Sequence, residues 1–179
     1  GSVFLINVPV MLVVAPACYF LLPRSEPTTP GKWAIGQALL LIAGITQEED
    51  YAALILQEAE RLGVADRLVF PGAISENDKC WYLQHCTAFS FPSLAEGFGL
   101  PVIEAMAYGK PVFLSKATSL PEIGGSVAYY FDSFEPEAMS QSLQQGLDHY
   151  RRENPQALIK ERAAGFNWDT AARQYIQLY

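Results

Sequence analysis

Residues 88–107 read Ala-Phe-Ser-Phe-Pro-Ser-Leu-Ala-Glu-Gly-Phe-Gly-Leu-Pro-Val-Ile-Glu-Ala-Met-Ala. Ala88 to Phe91 is a short apolar run of the kind that forms a strand buried on both faces, and Pro92-Ser93 stops it. Glu96-Gly97-Phe98-Gly99 is a turn. Pro101 follows where a helix begins, a place that suits a residue without an N–H. The same alternation extends in both directions. Leu39 to Ala43 reads as a buried strand running into Gly44. Thr46 and Glu49 form a capping box for a helix that turns Leu54, Ile55, Ala59 and Leu62 toward one side and ends at Gly63. Arg67 to Phe70 is the next strand, stopped by Pro71-Gly72. Ser75, with Asp78 at the reciprocal position, caps a helix containing Trp81, Tyr82 and Leu83. Pro111 to Leu114 and Val127 to Tyr130 are further strands. From Glu135 the pattern is helical, with one helix starting near Pro136 and the last spanning Trp168 to Tyr179. Strands separated by helices of this length predict an α/β fold: a doubly wound parallel (Rossmann-like) sheet with helices on both faces.

The chain has 179 residues, enough for one domain with a full core. Half of them are hydrophobic and 17% are charged, so a folded body is expected. A formal net charge of -7 argues against nucleic acid as a partner, because a phosphate backbone is met by a Lys/Arg surface. The three cysteines, Cys18, Cys80 and Cys86, form no C-x-x-C pair, and His85 and His149 are the only histidines. Buried thiols are expected, with neither a disulfide framework nor a zinc site. Val3 to Pro23 carries no charge, but Pro9, Pro16 and Asn7 interrupt it, and Met11 to Val14 and Tyr19 to Leu22 read as two buried strands. Gly1-Ser2 reads as a cloning remnant and the chain as a piece of something larger. Residues 1–38 form the N-terminal part of the domain, 39–165 its body and 166–179 a terminal helix.

Chemistry concentrates after the strand at Ala88 to Phe91, because doubly wound sheets bind ligands at the carboxyl ends of their strands. Gly97 and Gly99 offer backbone that a ligand can approach closely. The first-turn N–H groups of the helix that follows suit a phosphate. A carboxylate beside a phosphate is repulsive unless it faces hydroxyls, and carboxylates accept well from vicinal diols. Glu104 on a ribose and Glu96 on a hexose, with the phosphates between, is therefore a consistent arrangement. The plainer alternative is a solvated loop acid at Glu96 and a dipole-complementing acid at Glu104.

Glu96-Gly-Phe-Gly-Leu-Pro-Val-Ile-Glu104 resembles the E-x7-E element of the family-4 retaining glycosyltransferases of the GT-B fold. The likeness continues through Ala105-Met-Ala-Tyr-Gly-Lys-Pro-Val112, Ser119-Leu-Pro-Glu122, Leu68-Val-Phe-Pro-Gly72 and Phe166-Asn-Trp168, and covers roughly residues 39 to 179. It implies the C-terminal, nucleotide-sugar-binding domain of a hexosyltransferase. Glu104 would bind the ribose, and Glu96, the catalytic residue, a sugar hydroxyl near the reacting carbon. Gly97 and the amides of Phe98, Gly99 and Leu100 would meet sugar and diphosphate, and Gly72, Ala73 and Ile74 would line the base. The family's diphosphate-neutralising cations would be Arg24 and Lys32, here more widely spaced than usual; as solvated loop cations they would have no such role. Only Trp33 to Ala38 separate Lys32 from Leu39, where the family has a long helix. Either that element is lost or the sequence omits it.

The resemblance further implies a nucleoside-diphosphate sugar as substrate, GDP-mannose or a UDP-sugar, with no cofactor and no metal. A glycan or lipid-linked acceptor would enter through a missing N-terminal domain toward which the terminal helix would reach. Polysaccharide assembly by a cytoplasmic enzyme, peripheral at the inner membrane face when full-length, is the expected setting, and homodimerisation is a further expectation. Two rival readings are a sugar-nucleotide epimerase, which would need more acid/base groups than the two glutamates, and an inactive sugar-nucleotide-binding module. Tyr129, Tyr130, Phe131 and Phe134 read as core, as do Met139, Leu143 and Leu147. Arg151, Arg152, Lys160, Glu161 and Arg162 read as a solvated helical face, and His85 as a surface histidine at a helix end.

Overall fold

A computed structural model describes residues 40–43 and 49–177. In chain order the elements are β1 (Leu40–Ala43), α1 (Glu49–Arg61), β2 (Leu68–Gly72), α2 (Glu76–His85), β3 (Phe89–Phe91), α3 (Leu100–Ala107), β4 (Val112–Leu114), α4 (Leu120–Gly124), β5 (Tyr129–Tyr130), α5 (Pro136–Glu153), α6 (Gln156–Ala164) and α7 (Trp168–Ile176). The two strands expected before residue 23, the Thr46 side of the expected capping box, Cys18, Arg24 and Lys32 lie outside the described residues.

Among the described residues the strands form two parallel sheets, where sequence periodicity had suggested one. β1 pairs with β2, Leu40 opposite Leu68, with a register shift before Ala43 meets Gly72. β4 lies between β3 and β5, with Phe113 opposite both Ser90 and Tyr129. All three residues of β4 are buried, and they alternate between two cores. Val112 and Leu114 face Val102, Ala105 and Met106 of α3, Leu120 and Ile123 of α4, and Ile159 and Ala163 of α6. Phe113 faces the other way, onto Phe131 and onto Met139 and Leu143 of α5. Helices therefore cover both faces of this sheet, as the α/β reading requires.

Local sequence explains most boundaries. α1 ends at Gly63, whose φ of 68° is the left-handed conformation that glycine adopts without strain, and Val64 N–H closes the turn on Ala59 C=O at 2.9 Å. Ile55 and Ala59 of α1 are buried as expected and Leu62 is half-buried, but Leu54 is exposed. Pro71 and Gly72, expected to stop β2, are its last residues. The α2 cap is the reciprocal box: Asp78 N–H donates to Ser75 Oγ at 3.1 Å, and Ser75 N–H and Oγ–H donate to Asp78 Oδ2 at 3.4 and 2.6 Å. Ser75→Ala is expected to remove about 1 kcal/mol of stability, a fall of roughly 2–4 °C in Tm by circular dichroism.

The aromatic cluster is core, as read. Phe113 stacks on Tyr129 at 5.0 Å and on Phe131 at 6.2 Å. Cys80 and Cys86 are free thiols, half-buried where full burial was expected, and burial pushes the Cys86 thiol above the ordinary cysteine range. His85 is exposed at the end of α2, with Nδ1 2.7 Å from Trp81 C=O and its ring stacked on the indole. Among the described residues no helix is long and apolar enough to cross a membrane.

Candidate active site

Parallel pairing sends the loops after β3 and β4 to one edge of their sheet, and both precede helices. The first, residues 92–99, is the glycine loop. The second, residues 115–119, binds it at several points. Ser115 Oγ–H, buried, donates to Ser93 C=O, and Ser93 Oγ–H donates to Ala95 C=O at 3.0 Å. Glu96 N–H donates to Thr118 Oγ1 at 3.2 Å. Ser119 Oγ lies 3.0 Å from Phe98 C=O and 3.3 Å from Glu96 C=O, close enough to donate to either. Thr118 makes its contact at φ 50°, a left-handed conformation that strains a β-branched residue. Hydroxyls from one loop therefore fix the path of the other.

Within the glycine loop the two glycines do different work. A Cβ on Gly97 would meet nothing within 4 Å, so its backbone is open to a ligand. Gly99 is buried, with φ 100°, and a Cβ there would lie 3.1 Å from Leu120 Cδ2 and 3.2 Å from Ile123 Cδ1. Its missing side chain serves packing on α4, whereas the sequence suggested close approach of a ligand. Gly99 C=O accepts from Val102 and Ile103 N–H at 3.0 and 3.4 Å and so starts α3. The helix begins at Leu100, one residue earlier than expected, with Pro101 second. Phe98 is 48% exposed and its ring meets Phe166 edge-on at 6.2 Å. The Arg162 guanidinium lies over the other partner of that contact, 4.9 Å from the Phe166 centroid. Arg162 is exposed, as expected for a solvated face, and it also donates from Nε to Ile123 C=O at 3.0 Å and from Nη2 to Glu122 C=O, closing the end of α4.

Glu96 is half-buried, and its Oε1 accepts from Gly97 N–H at 3.2 Å, so the carboxylate folds beside its own loop. Glu104 is one turn into α3. Its Oε1 accepts from Lys79 Nζ of α2 at 2.9 Å, and Lys79 also reaches Glu76 Oε2 at 2.8 Å. Hydrogen bonds to Glu76 and then Glu104 hold the Lys79 ammonium above the ordinary lysine range. Glu104 Oε2 is covered and has no hydrogen-bond partner. Gly72, at φ 71°, and exposed Ala73 lie at the carboxyl end of β2, and a Cβ on Gly72 would meet nothing within 4 Å. Sequence reasoning did not find Lys79, Thr118, Ser119 or the role of Arg162, since each acts on a residue 20 or more positions away. Among the described residues no group of three or more His, Cys, Asp or Glu could hold a metal ion.

The sequence model for "Glycosyl transferases group 1" matches residues 32–164. "O-antigen chain mannosyltransferase B" of Escherichia coli is 33% identical over 141 residues, 78% of this chain and 36% of that protein. "D-inositol 3-phosphate glycosyltransferase" of Streptomyces griseus is 32% identical over 124 residues, 68% of this chain and 26% of that protein. The chain thus spans about a third or less of these relatives. An Anabaena protein, Alr3699/HepE, solved with UDP and glucose, superposes with a TM-score of 0.68 at 22% identity, over 91% of this chain and 44% of that one. A glycosyltransferase from Rickettsia africae superposes with a TM-score of 0.74 at 16% identity, over 94% and 43%. These likenesses place the α/β body described above in the C-terminal half of the GT-B architecture. With a family match across most of its length, the chain belongs to the glycosyl transferases of group 1.

Proposed function

We propose that this chain is the donor-binding half of a retaining hexosyltransferase, which moves a sugar from a nucleoside-diphosphate sugar to a glycan or lipid-linked acceptor without a metal ion. The observation that carries the reading is the Glu96–Glu104 element at a sheet's carboxyl edge, its loop held by hydroxyls from the neighbouring loop. Glu104, with an oxygen that lacks a donor, is suited to the ribose diol. Glu96 would hold a hydroxyl of the transferred sugar near the reacting carbon. Amides from Phe98 to Leu100 head a helix whose first-turn N–H groups and dipole favour a diphosphate. Gly72 and Ala73 would border the base.

In the proposed reaction the bond from the anomeric carbon to the diphosphate breaks as the acceptor oxygen approaches the same face, and the acceptor proton leaves with the phosphate. Charge develops on the departing diphosphate, so the helix amides and the two cations Arg24 and Lys32 would stabilise it as it forms. The acceptor would bind to the part of the protein outside this chain. α7, with Trp168 82% and Ile176 73% exposed, is the element that would meet it. The mannosyltransferase relatives favour a mannosyl donor, and the UDP-bound structure keeps UDP-sugars in the panel.

The test is a thermal-shift panel of UDP-, GDP-, ADP- and dTDP-sugars, since a ligand that binds only the folded form raises Tm. One nucleotide class is expected to give a saturable rise. No saturable rise with any of them at millimolar concentration would reduce the assignment to a family and a fold.

A further inference from the structure

We propose that Lys79 is a positioning residue for nucleotide recognition: it fixes the Glu104 carboxylate so that the diol of a ribose can bind to it. The inference rests on the ribose role given to Glu104 above. Lys79 and Glu104 belong to different helices and are 25 residues apart, so their 2.9 Å contact is made by the packing of α2 on α3. Glu76, one turn before Lys79, holds the same ammonium at 2.8 Å. The lysine thus has one anchor on its own helix and one target on the next.

The geometry differs from that of an ion pair kept for stability. Both partners are partly exposed, Lys79 at 29% and Glu104 at 37%, and pairs so open to water add little to stability. Against this, Glu104 leaves a covered oxygen with no donor, which is unfavourable. The arrangement is therefore incomplete in the free protein. A carboxylate accepts about four hydrogen bonds, and Lys79 takes one. The last torsion of a glutamate is broad, so a small turn of the carboxylate can bring Oε2 toward an arriving hydroxyl, and the bond from Lys79 to Oε1 limits how far the group turns.

The readout is the discrimination between a ribonucleotide and its 2′,3′-dideoxy counterpart, measured by calorimetry with UDP and GDP and their dideoxy forms. Lys79→Met is expected to weaken the ribonucleotide about tenfold. It should leave the dideoxy form within about twofold, and add nothing in a Glu104→Ala background, where there is no carboxylate left to position. Lys79→Arg should recover most of the loss, because it restores a donor to Oε1. Lys79→Leu, which also lacks a donor, serves as a second variant with the same expectation if the methionine form does not fold. Equal losses for ribo and dideoxy ligands would overturn the inference, since Lys79 would then act on the phosphates or on the fold. Unchanged ribonucleotide affinity in Lys79→Met and Lys79→Leu would overturn it too. A parent protein that binds no nucleotide would instead remove the proposed function on which it stands.

Discussion

Glu104→Ala is expected to weaken binding of a nucleotide sugar by about a hundredfold, measured by calorimetry, because two hydroxyl bonds to a charged acceptor are lost together. Tm should move little. The carboxylate's one ion pair is partly exposed, and Lys79 keeps Glu76 as a partner. Removing Glu104 also removes a covered oxygen that has no donor, so the folded state loses a liability along with a contact. Glu104→Gln separates shape from charge. It keeps the volume of the side chain but offers a single acceptor oxygen, so an intermediate loss is expected. If Glu104→Ala binds every nucleotide sugar as well as the parent, the acid complements the dipole of α3 and nothing more.

The second large effect concerns the core. Gly146 of α5 lies against the ring of Phe113, and a Cβ at this position would stand 2.5 Å from Phe113 Cε1, 2.8 Å from Cζ and 2.9 Å from Tyr129 Cγ. None of these rings is free to give way, since Phe113 is fully buried and stacked between Tyr129 and Phe131. Alanine here would set a gain in helix propensity of about 1 kcal/mol against that overlap. Valine adds two more methyl groups and strain at χ1, so Gly146→Val is expected to destabilise by about 3 kcal/mol, or roughly 6–12 °C in Tm. Gly97→Ala is the control, with open space where its Cβ would go. Melts of Gly146→Val and parent within 2 °C of each other would contradict the packing described here.

The alternation of apolar runs with capped helices was readable because each boundary is made locally. Ser75 and Asp78 close their own helix end, Gly63 takes a conformation that suits glycine, and Pro136 starts α5. The Glu96–Glu104 element was readable for a similar reason, being contiguous in the chain. What the sequence hid is tertiary. Leu54 has the right helical spacing but lies on the outward flank of α1. Arg162 is exposed among charged neighbours, yet its guanidinium also reaches two carbonyls 39 and 40 residues earlier. Gly99 looked like room for a ligand and is room for Leu120 and Ile123. Thr118, at positive φ, is of a residue type that gives no sign of that conformation. Each depends on which helix lands against which loop, information that periodicity does not carry.

The stitching of residues 92–99 to residues 115–119 has a bearing on how such a protein could acquire a new preference for its sugar. The carbonyls and amide of Glu96 and Phe98 are answered by side chains that belong to another stretch of the chain. A graft that exchanged the first stretch alone would bring in a backbone whose partners are shaped for a different path. The two stretches therefore form a single inheritable cassette, and variation in specificity should travel through both of them or through neither.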